Sequence, residues 1–384
     1  MITIANGIIL KGVNLEPARE NIVVDNGKII EISKDVSEGK IIDATGSVVC
    51  PSFLNAHTHI GDSIIKDEGY GLSIDEMVKP PEGIKHLALS EAEDEEIIES
   101  MKQSMWEMVK SGTTHFIDYR EGGLHGIELL KKASEDIPIK PIILGRDNSF
   151  YGDSPDLSEV KTAISKILKV ADGIGLSGFG EITDEVAMLI ASECAKKGKI
   201  SSIHTAENKV AQNNSLKNFN KTEINRAVDA DFSQLVHCTN TLENDLELLQ
   251  DSNFVVCPRA NATLNVGIPD LPKMLEKGYA PLIGTDNLML NSPNMFSELE
   301  FTLKLMGIKY GVYLNPCDIL KLATVNVCNT QINNLISKSC IEINQNAEFF
   351  IVKQFSRNFY LNIINRCSPK SILYLFNKNC INLK

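Results

Sequence analysis

The 384-residue sequence contains no CxxC pair, no basic balance and no long apolar run. Each absence excludes a class. Nine scattered cysteines, an odd and unpatterned set, read as reduced thiols of a cytoplasmic chain and not as a disulfide frame. Most are expected to fill core space. The start, MITIANGIIL, lacks a basic segment and a small-residue cleavage site, so no export signal is expected. No run approaches the ~18–20 apolar residues needed to span a bilayer, so no membrane partner is expected. The formal net charge of −12 argues against nucleic acid as the main partner, because phosphate-binding surfaces are usually basic. There is no low-complexity linker and no short-period repeat. Histidine is scarce, at seven residues.

What is present is ordinary globular material, 43% hydrophobic and 23% charged, in a chain long enough to bury a large core. The first fifty residues hold short β-rich runs, ITIANGIIL, NIVVDNGKIIEI and KIIDATGSVV, separated by turn signals such as Asp25-Asn26-Gly27. They are expected to form a small antiparallel unit that cannot bury both faces alone. From about Val48 the rhythm becomes strand, loop, helix. Eight runs read as strands: VVCPSFLNAHTH, THFIDYR, IKPIILGR, GIGLSGF, KISSIHTAE, SQLVHCT, NFVVCPR and APLIGTDN. Helical periodicity lies between most of them, for example over 91–110, 183–197 and 241–250. Apolar strands alternating with helices imply a parallel sheet buried on both sides. The expected fold is α/β, a (β/α)8 TIM barrel over 49–334. Residues 1–48 and 335–384 are expected to join in a discontinuous β-sandwich domain. For the second segment the strands expected are SCIEIN, AEFFIVKQF and RNFYLNII, and no acidic residue follows Glu348.

The chemistry-bearing residues fall at one end of this barrel. In PSFLNAHTHIGD (51–62), His57 and His59 stand two apart, which puts both on one side of a strand. His204 closes strand five, His237 strand six and Asp286 strand eight. The C-terminal ends of barrel strands are where such folds gather their catalytic groups. A lone HxH is weak evidence; five imidazole or carboxylate groups at equivalent strand ends point to a metal site.

These elements, with SGTTHFID (111–118), HTAE (204–207), VHC (236–238), CPRAN (257–261) and GTDN (284–287), resemble the amidohydrolase superfamily. The similarity is to the branch holding S-adenosylhomocysteine, guanine and cytosine deaminases and triazine hydrolases, and it covers nearly the whole chain. Only the tail departs, the family's Gly-rich close being faint in IEINQNAEFFIV (341–352). The resemblance implies that His57, His59, His204 and Asp286 bind one divalent metal, Zn²⁺ or Fe²⁺. It implies that His237 orients a water, and that Glu207 shuttles a proton. Binuclear members carry a lysine at the end of strand four; GIGLSGFGEI has none, which favours one metal and leaves Glu181 as a minor candidate bridge.

Arg120, Arg146 and Arg259 follow strands two, three and seven at the same mouth. They either clamp an anionic group of the substrate or pair internally, with Glu121 and Asp147 adjacent to two of them. The long segment 66–89 after strand one is a candidate lid. Within it His86, Glu82 and Lys85 are candidates to meet the substrate, although surface statistics favour solvent-facing positions. His115 and His125 read as structural. The expected activity is deamination of a heteroaromatic ring, a purine, pterin or pyrimidine derivative, in a homo-oligomer acting on a small molecule. The alternatives are hydrolysis of a cyclic amide, imidazolone, formimino or chloro substrate, and a non-catalytic scaffold.

Overall fold

The computed structural model describes residues 1–78, 82–242, 244–377 and 379–383. Parts of the candidate lid (79–81), of the expected helix 241–250 (243) and of the tail (378, 384) lie outside the described residues. Parallel strands Phe53–His59, Thr113–Arg120, Lys140–Gly145, Gly173–Leu176, Ile200–Thr205, Gln234–His237 and Phe254–Val256 lie side by side in chain order. The eighth strand is split. Leu282–Ile283 pairs with strand seven, and Asp286–Asn287 pairs with strand one, so the two halves close the ring. The expected TIM barrel is therefore present. Among the described residues no helix is long and apolar enough to cross a membrane.

The closing seam is held by side chains of the histidine segment itself. Asn55 Nδ2 donates to Thr285 Oγ1 at 2.7 Å, and Asn55 Oδ1 accepts from the Thr285 backbone at 3.0 Å. On the other side of strand one, Asp118 Oδ1 accepts from Thr58 Oγ1 (3.0 Å) and from the Ile60 backbone (2.6 Å). Helices start where the sequence caps them. Asp94–Lys110 opens with a reciprocal Glu93–Glu96 capping box, and Asp184–Lys196 with Thr183 on Val186 N. The expected helix over 241–250 shortens to Asp245–Leu248. The Asp245 carboxylate accepts from the Leu242 backbone.

Two terminal sheets pack face to face. The four-stranded sheet runs Lys28–Ser33, Asn21–Asp25, Ile2–Ala5, Lys40–Asp43. The six-stranded sheet runs Asn379–Asn382, Ile372–Asn377, Glu348–Lys353, Ser47–Pro51, Ile8–Lys11, Glu16–Ala18. Alternation divides the second sheet: Val49, Phe349 and Ile351 join Ile4, Ile22 and Ile29 in the sandwich core. Val48, Cys50, Phe350 and Val352 face the barrel, where the Phe350 ring meets Phe53 at 4.9 Å and Phe296 at 6.0 Å.

Two expectations are corrected. The run from Val48 to His59 is not one strand: Ser47–Pro51 pairs with Glu348–Lys353 and Ile8–Lys11, and the barrel strand begins at Phe53. In the tail, SCIEIN is irregular and RNFYLNII is helical, over Phe359–Leu361 and Asn362–Arg366. Asn358 Oδ1 accepts from Leu361 N, and Asn362 Oδ1 from Phe355 N and Ser356 N. Such side-chain to backbone bonds divert a β-branched run from a ladder. The tail strands lie further on, at Ile372–Asn377 and Asn379–Asn382.

Gly284 shows how tightly the seam closes. A Cβ there would lie 2.7 Å from the His57 backbone nitrogen and 2.8 Å from its carbonyl oxygen. Backbone cannot yield as a side-chain tip can. Gly284→Ala should cost about 1–3 kcal/mol through overpacking, read as a lower urea midpoint. An unchanged midpoint would show that the strands are free to part.

Candidate active site

Strand alternation decides which groups enter the mouth. On strand two, Phe116 packs outward with the helices, while Ile117 and Tyr119 face the barrel interior. Arg120 therefore points away from the mouth, and Glu121 returns to it. On strand three Ile143 faces out and Leu144 in, so Gly145 faces out and Arg146 in. Two of the key residues need a departure from the pattern. In strand one the pairing register shifts between Asn55 and Thr58, so Ala56 and His57 together face Ile117. That is a bulge, a device that re-aims side chains. In strand six, Val236 faces the interior, so plain alternation would turn His237 outward. A left-handed backbone at His237 (φ 73°) and Cys238 (φ 44°) turns it into the mouth. Asp286 is also left-handed, at φ 61°.

His57, His59, His204 and Asp286 converge so that one donor atom from each lies within 4.8 Å of the others. His59 Nδ1 donates to Glu121 Oε1 at 3.0 Å, and His204 Nδ1 donates to the Leu176 carbonyl at 2.6 Å. Both rings thus turn unprotonated Nε2 atoms inward, and these face each other at 3.3 Å. His57 Nε2 stands 3.1 Å from Asp286 Oδ1, and both atoms are buried with no hydrogen-bond partner. Facing lone pairs and orphaned buried atoms are what a cation would satisfy, and three imidazoles with one carboxylate suit Zn²⁺ or Fe²⁺. The donor set fits a divalent metal.

The electrostatics agree. Burial pushes the His57 imidazole down to about 4, and His59 and His204 well below the usual range, so all three are neutral near pH 7. Burial alone would raise Asp286, but His57 beside it, with His237 and His59 nearby, holds it well below ordinary carboxylates. Glu207 is shifted the other way: burial raises its carboxyl, only partly opposed by His237.

Glu207, His237 and Asp286 form a second cluster that shares Asp286 with the first. His237 Nδ1 donates to Asn261 Oδ1 at 3.0 Å, leaving Nε2 buried, without a hydrogen bond and 3.7 Å from Glu207 Oε1. Glu207 is presented by a left-handed Ala206, whose N–H donates to Glu223 Oε2, while Asn240 Nδ2 holds the Glu207 carbonyl at 2.7 Å. Tyr119 floors the site, its ring centroid 4.4 Å from that of His57 and its hydroxyl on Ser202.

The three arginines part company. Arg146 lines the site, with Nε and Nη2 buried and unpartnered and Nη1 at 3.7 Å from Glu121 Oε1. Its partner is Glu121 and not Asp147, which caps Ser149. Arg120 lies behind strand two, against Gly61 and Met101, bonded to Glu121 Oε2 at 3.1 Å. Arg259 sits on the helix after strand seven, 3.6 Å from Glu298 and bonded to the Ser292 carbonyl. His86 bonds the Val78 carbonyl and lines an outer cavity, apart from the metal cluster. Glu82 is exposed, as expected. Lys85 is the correction in this segment: it is 2% exposed, with Nζ 2.7 Å from Glu121 Oε1. His115 lies at the base of the barrel, 4.0 Å from Glu348, and His125 is exposed beside Asp94. Glu121, Lys85 and Tyr119 are site residues with no sequence motif of their own, and Asn261 closes the CPRAN motif without having been given a role. Alternation from Tyr119 would have found Glu121; nothing local marks Lys85.

The site opens in two stages. An inner chamber of about 70 Å³ is lined by His59, Lys85, His204, Glu207, His237 and Asp286, among others. An outer cavity of about 750 Å³ is lined by His86, Leu89, Tyr151, Asn148 and Asp153, among others. Arg146 and Glu181 line both and mark the neck between them.

Comparison with known proteins gives this geometry a family. The amidohydrolase family model matches residues 48–380. A Methanothermobacter thermautotrophicus protein, described only provisionally as an aminohydrolase, is 42% identical over 381 residues, covering 98% of each chain. The 5′-deoxyadenosine deaminase of Methanosarcina acetivorans is 27% identical over 323 residues, 79% of this chain and 73% of its own. An adenosine deaminase from Xanthomonas campestris, solved with bound zinc, shares the fold at TM-score 0.84 and 14% identity, covering 99% of this chain and 92% of that one. With a matching family model over most of its length and a metal-fitting donor set at the barrel mouth, the chain belongs to the amidohydrolase family and is a hydrolytic enzyme.

Proposed function

We propose that this enzyme is a deaminase that replaces an amino group on a heteroaromatic ring by hydrolysis. The observation that carries the reading is the junction of the two clusters. The group expected to carry a proton, Glu207, and the group expected to steer charge, His237, meet the metal-fitting set at Asp286. The deaminase names of relatives such as that from Methanosarcina acetivorans point the same way and favour a purine, with pterin and pyrimidine derivatives next.

In this reading His57, His59, His204 and Asp286 hold one divalent ion, with Zn²⁺ favoured and Fe²⁺ the alternative. When bound, that ion supplies a Lewis acid able to make water a nucleophile near neutral pH. The remaining work belongs to the side chains. Asp286, kept ionised, accepts a proton from the attacking water. Glu207, its carboxyl raised by burial, delivers a proton to a ring nitrogen and so makes the adjacent ring carbon electrophilic. His237 turns Nε2 toward the reacting atoms, held there through Nδ1 by Asn261, and stabilises the charge that develops. The proton taken up by Asp286 passes to the departing nitrogen, the C–N bond breaks and ammonia leaves, and the hydroxyl proton of the product returns to Glu207. The reacting edge of the ring occupies the inner chamber, and substituents pass Arg146 and Glu181 into the outer cavity. An anionic substituent would meet the free edge of the Arg146 guanidinium, Nε with Nη2.

Three outcomes test this reading. Elemental analysis should find about one zinc or iron per chain, and none at all would sink the metal reading. Ammonia release across a panel of bases, nucleosides and pterins should identify a substrate, and Glu207→Gln should then lower kcat/KM about 10²–10⁴-fold. Release of chloride or ring opening without ammonia would instead assign hydrolysis of another bond. Arg146→Met should raise KM about tenfold or more for an anionic substrate, one lost charged contact, and leave a neutral analogue unchanged. Equal effects on both would remove the anion from the proposal.

A further inference from the structure

The helix Ile84–Glu91 crosses the mouth of the site in an unusual way. Its one buried residue is a lysine, Lys85. Leu87 on the same helix is exposed, and its other apolar residues, Ile84, Ala88 and Leu89, are only partly buried. Lys85 Nζ reaches Glu121 Oε1 at 2.7 Å and stands 3.2 Å from His59 Nδ1. The same carboxylate oxygen accepts from His59 Nδ1 at 3.0 Å, and the other oxygen accepts from Arg120 Nη2 at 3.1 Å. Glu121 thus sits behind one of the four metal-fitting groups, and the charge that secures it comes in part from a helix in the segment after strand one.

We propose that Glu121 is a positioning residue for His59, and that Lys85 makes this positioning depend on the helix Ile84–Glu91 being docked. The proposal rests on the reading that His59 binds the metal. A carboxylate on Nδ1 fixes the tautomer that leaves Nε2 free, locks the ring's rotation and raises the basicity of the ligand. A buried carboxylate holds its charge only among compensating cations. Lys85 supplies the shortest of these contacts, and it leaves when the helix lifts. Opening the mouth to admit a substrate would therefore loosen the bond behind His59, and closing would restore it. A purely structural role is the competing account, with Glu121 present only to neutralise Arg120 and Arg146. Under that account a change at Glu121 alters stability but not metal affinity.

Zinc affinity, measured by competition with a chromogenic chelator on metal-stripped full-length protein, separates the two. Glu121→Gln should weaken Zn²⁺ binding about 10–100-fold, the loss typical of removing a ligand's outer partner, and Glu121→Asp should recover part of it. Lys85→Met, which keeps the buried stem, should speed zinc release to the chelator. It should also speed amide hydrogen exchange in residues 84–91 and leave the barrel strands unchanged. Zinc affinity of Glu121→Gln equal to wild type would overturn the positioning role. If that variant does not fold, equal affinity in Glu121→Asp and unchanged release and exchange in Lys85→Met would overturn it instead. A wild type that binds no zinc would remove the metal reading and this proposal together; a wild type that binds zinc, with variants to match, would remove this proposal alone.

Discussion

Two imidazole lone pairs facing each other across 3.3 Å, with a third imidazole and a carboxylate alongside, make an arrangement that the bare polypeptide opposes. Burial strips these groups of water and leaves some of their atoms without partners. Much of the structure around them acts to hold them there. A bulge re-aims strand one, left-handed residues turn His237 and Asp286 inward, and the Asn55–Thr285 pair stitches the closing seam. Left-handed backbone at non-glycine residues costs on the order of 1–3 kcal/mol each when it is strained. Four such residues, Ala206, His237, Cys238 and Asp286, lie at strand ends at or beside the donor set. Left-handed backbone thus occurs where the chemistry is, and the rest of the fold must offset its cost.

The offset comes from below. Beneath the polar mouth the barrel interior is filled by Ile117, Ile142, Leu144, Ile200, Val236 and Val255. The terminal sheets extend this support. Ser47–Pro51 runs in the six-stranded sheet, and two residues later the same chain enters strand one. The segment carrying His57 and His59 is therefore anchored in a sandwich core before it reaches the site. The Phe53, Phe296 and Phe350 rings join that sheet to the barrel at the point of entry. The described terminal sheets contribute none of the metal-fitting groups, yet they fix the rail on which two of those groups are mounted.

This division explains what could be read from the sequence. The barrel was legible because its strands are short apolar runs between helical periods, a pattern that tertiary contacts reinforce. The HxH pair, His204, His237 and Asp286 were legible because each ends such a run. The tail was not, because its outcome turns on single asparagines: Asn358 caps the helix, and Asn362 accepts from the Phe355 and Ser356 backbone in the turn before it. The arginines were half legible. All three follow strands, but alternation sends Arg120 behind the sheet and a helix start carries Arg259 to Glu298, leaving Arg146 at the mouth. Lys85 was legible only as one of three candidates in the long segment, with solvent the favoured position. Its burial depends on a carboxylate thirty-six positions along the chain, Glu121, and on a loop path that no local pattern encodes.

The charges gathered at this mouth argue for use over stability. Lys85, Glu121, Arg120 and Arg146 are all buried, and ion pairs in such places are often no more stabilising than well-packed apolar residues of similar size. A barrel built only for stability would continue its isoleucines and valines to the rim. Here the apolar layers give way at Tyr119 to candidate ligands, their partners and the charges at the neck between the two cavities. Tyr119 lies on the boundary: its ring packs against His57 and His204, and its hydroxyl reaches down to Ser202 in the layer below. The change from packing to polarity at that level gives the site its low-dielectric floor. The same floor keeps the three histidines neutral, and so able to act as ligands, near pH 7.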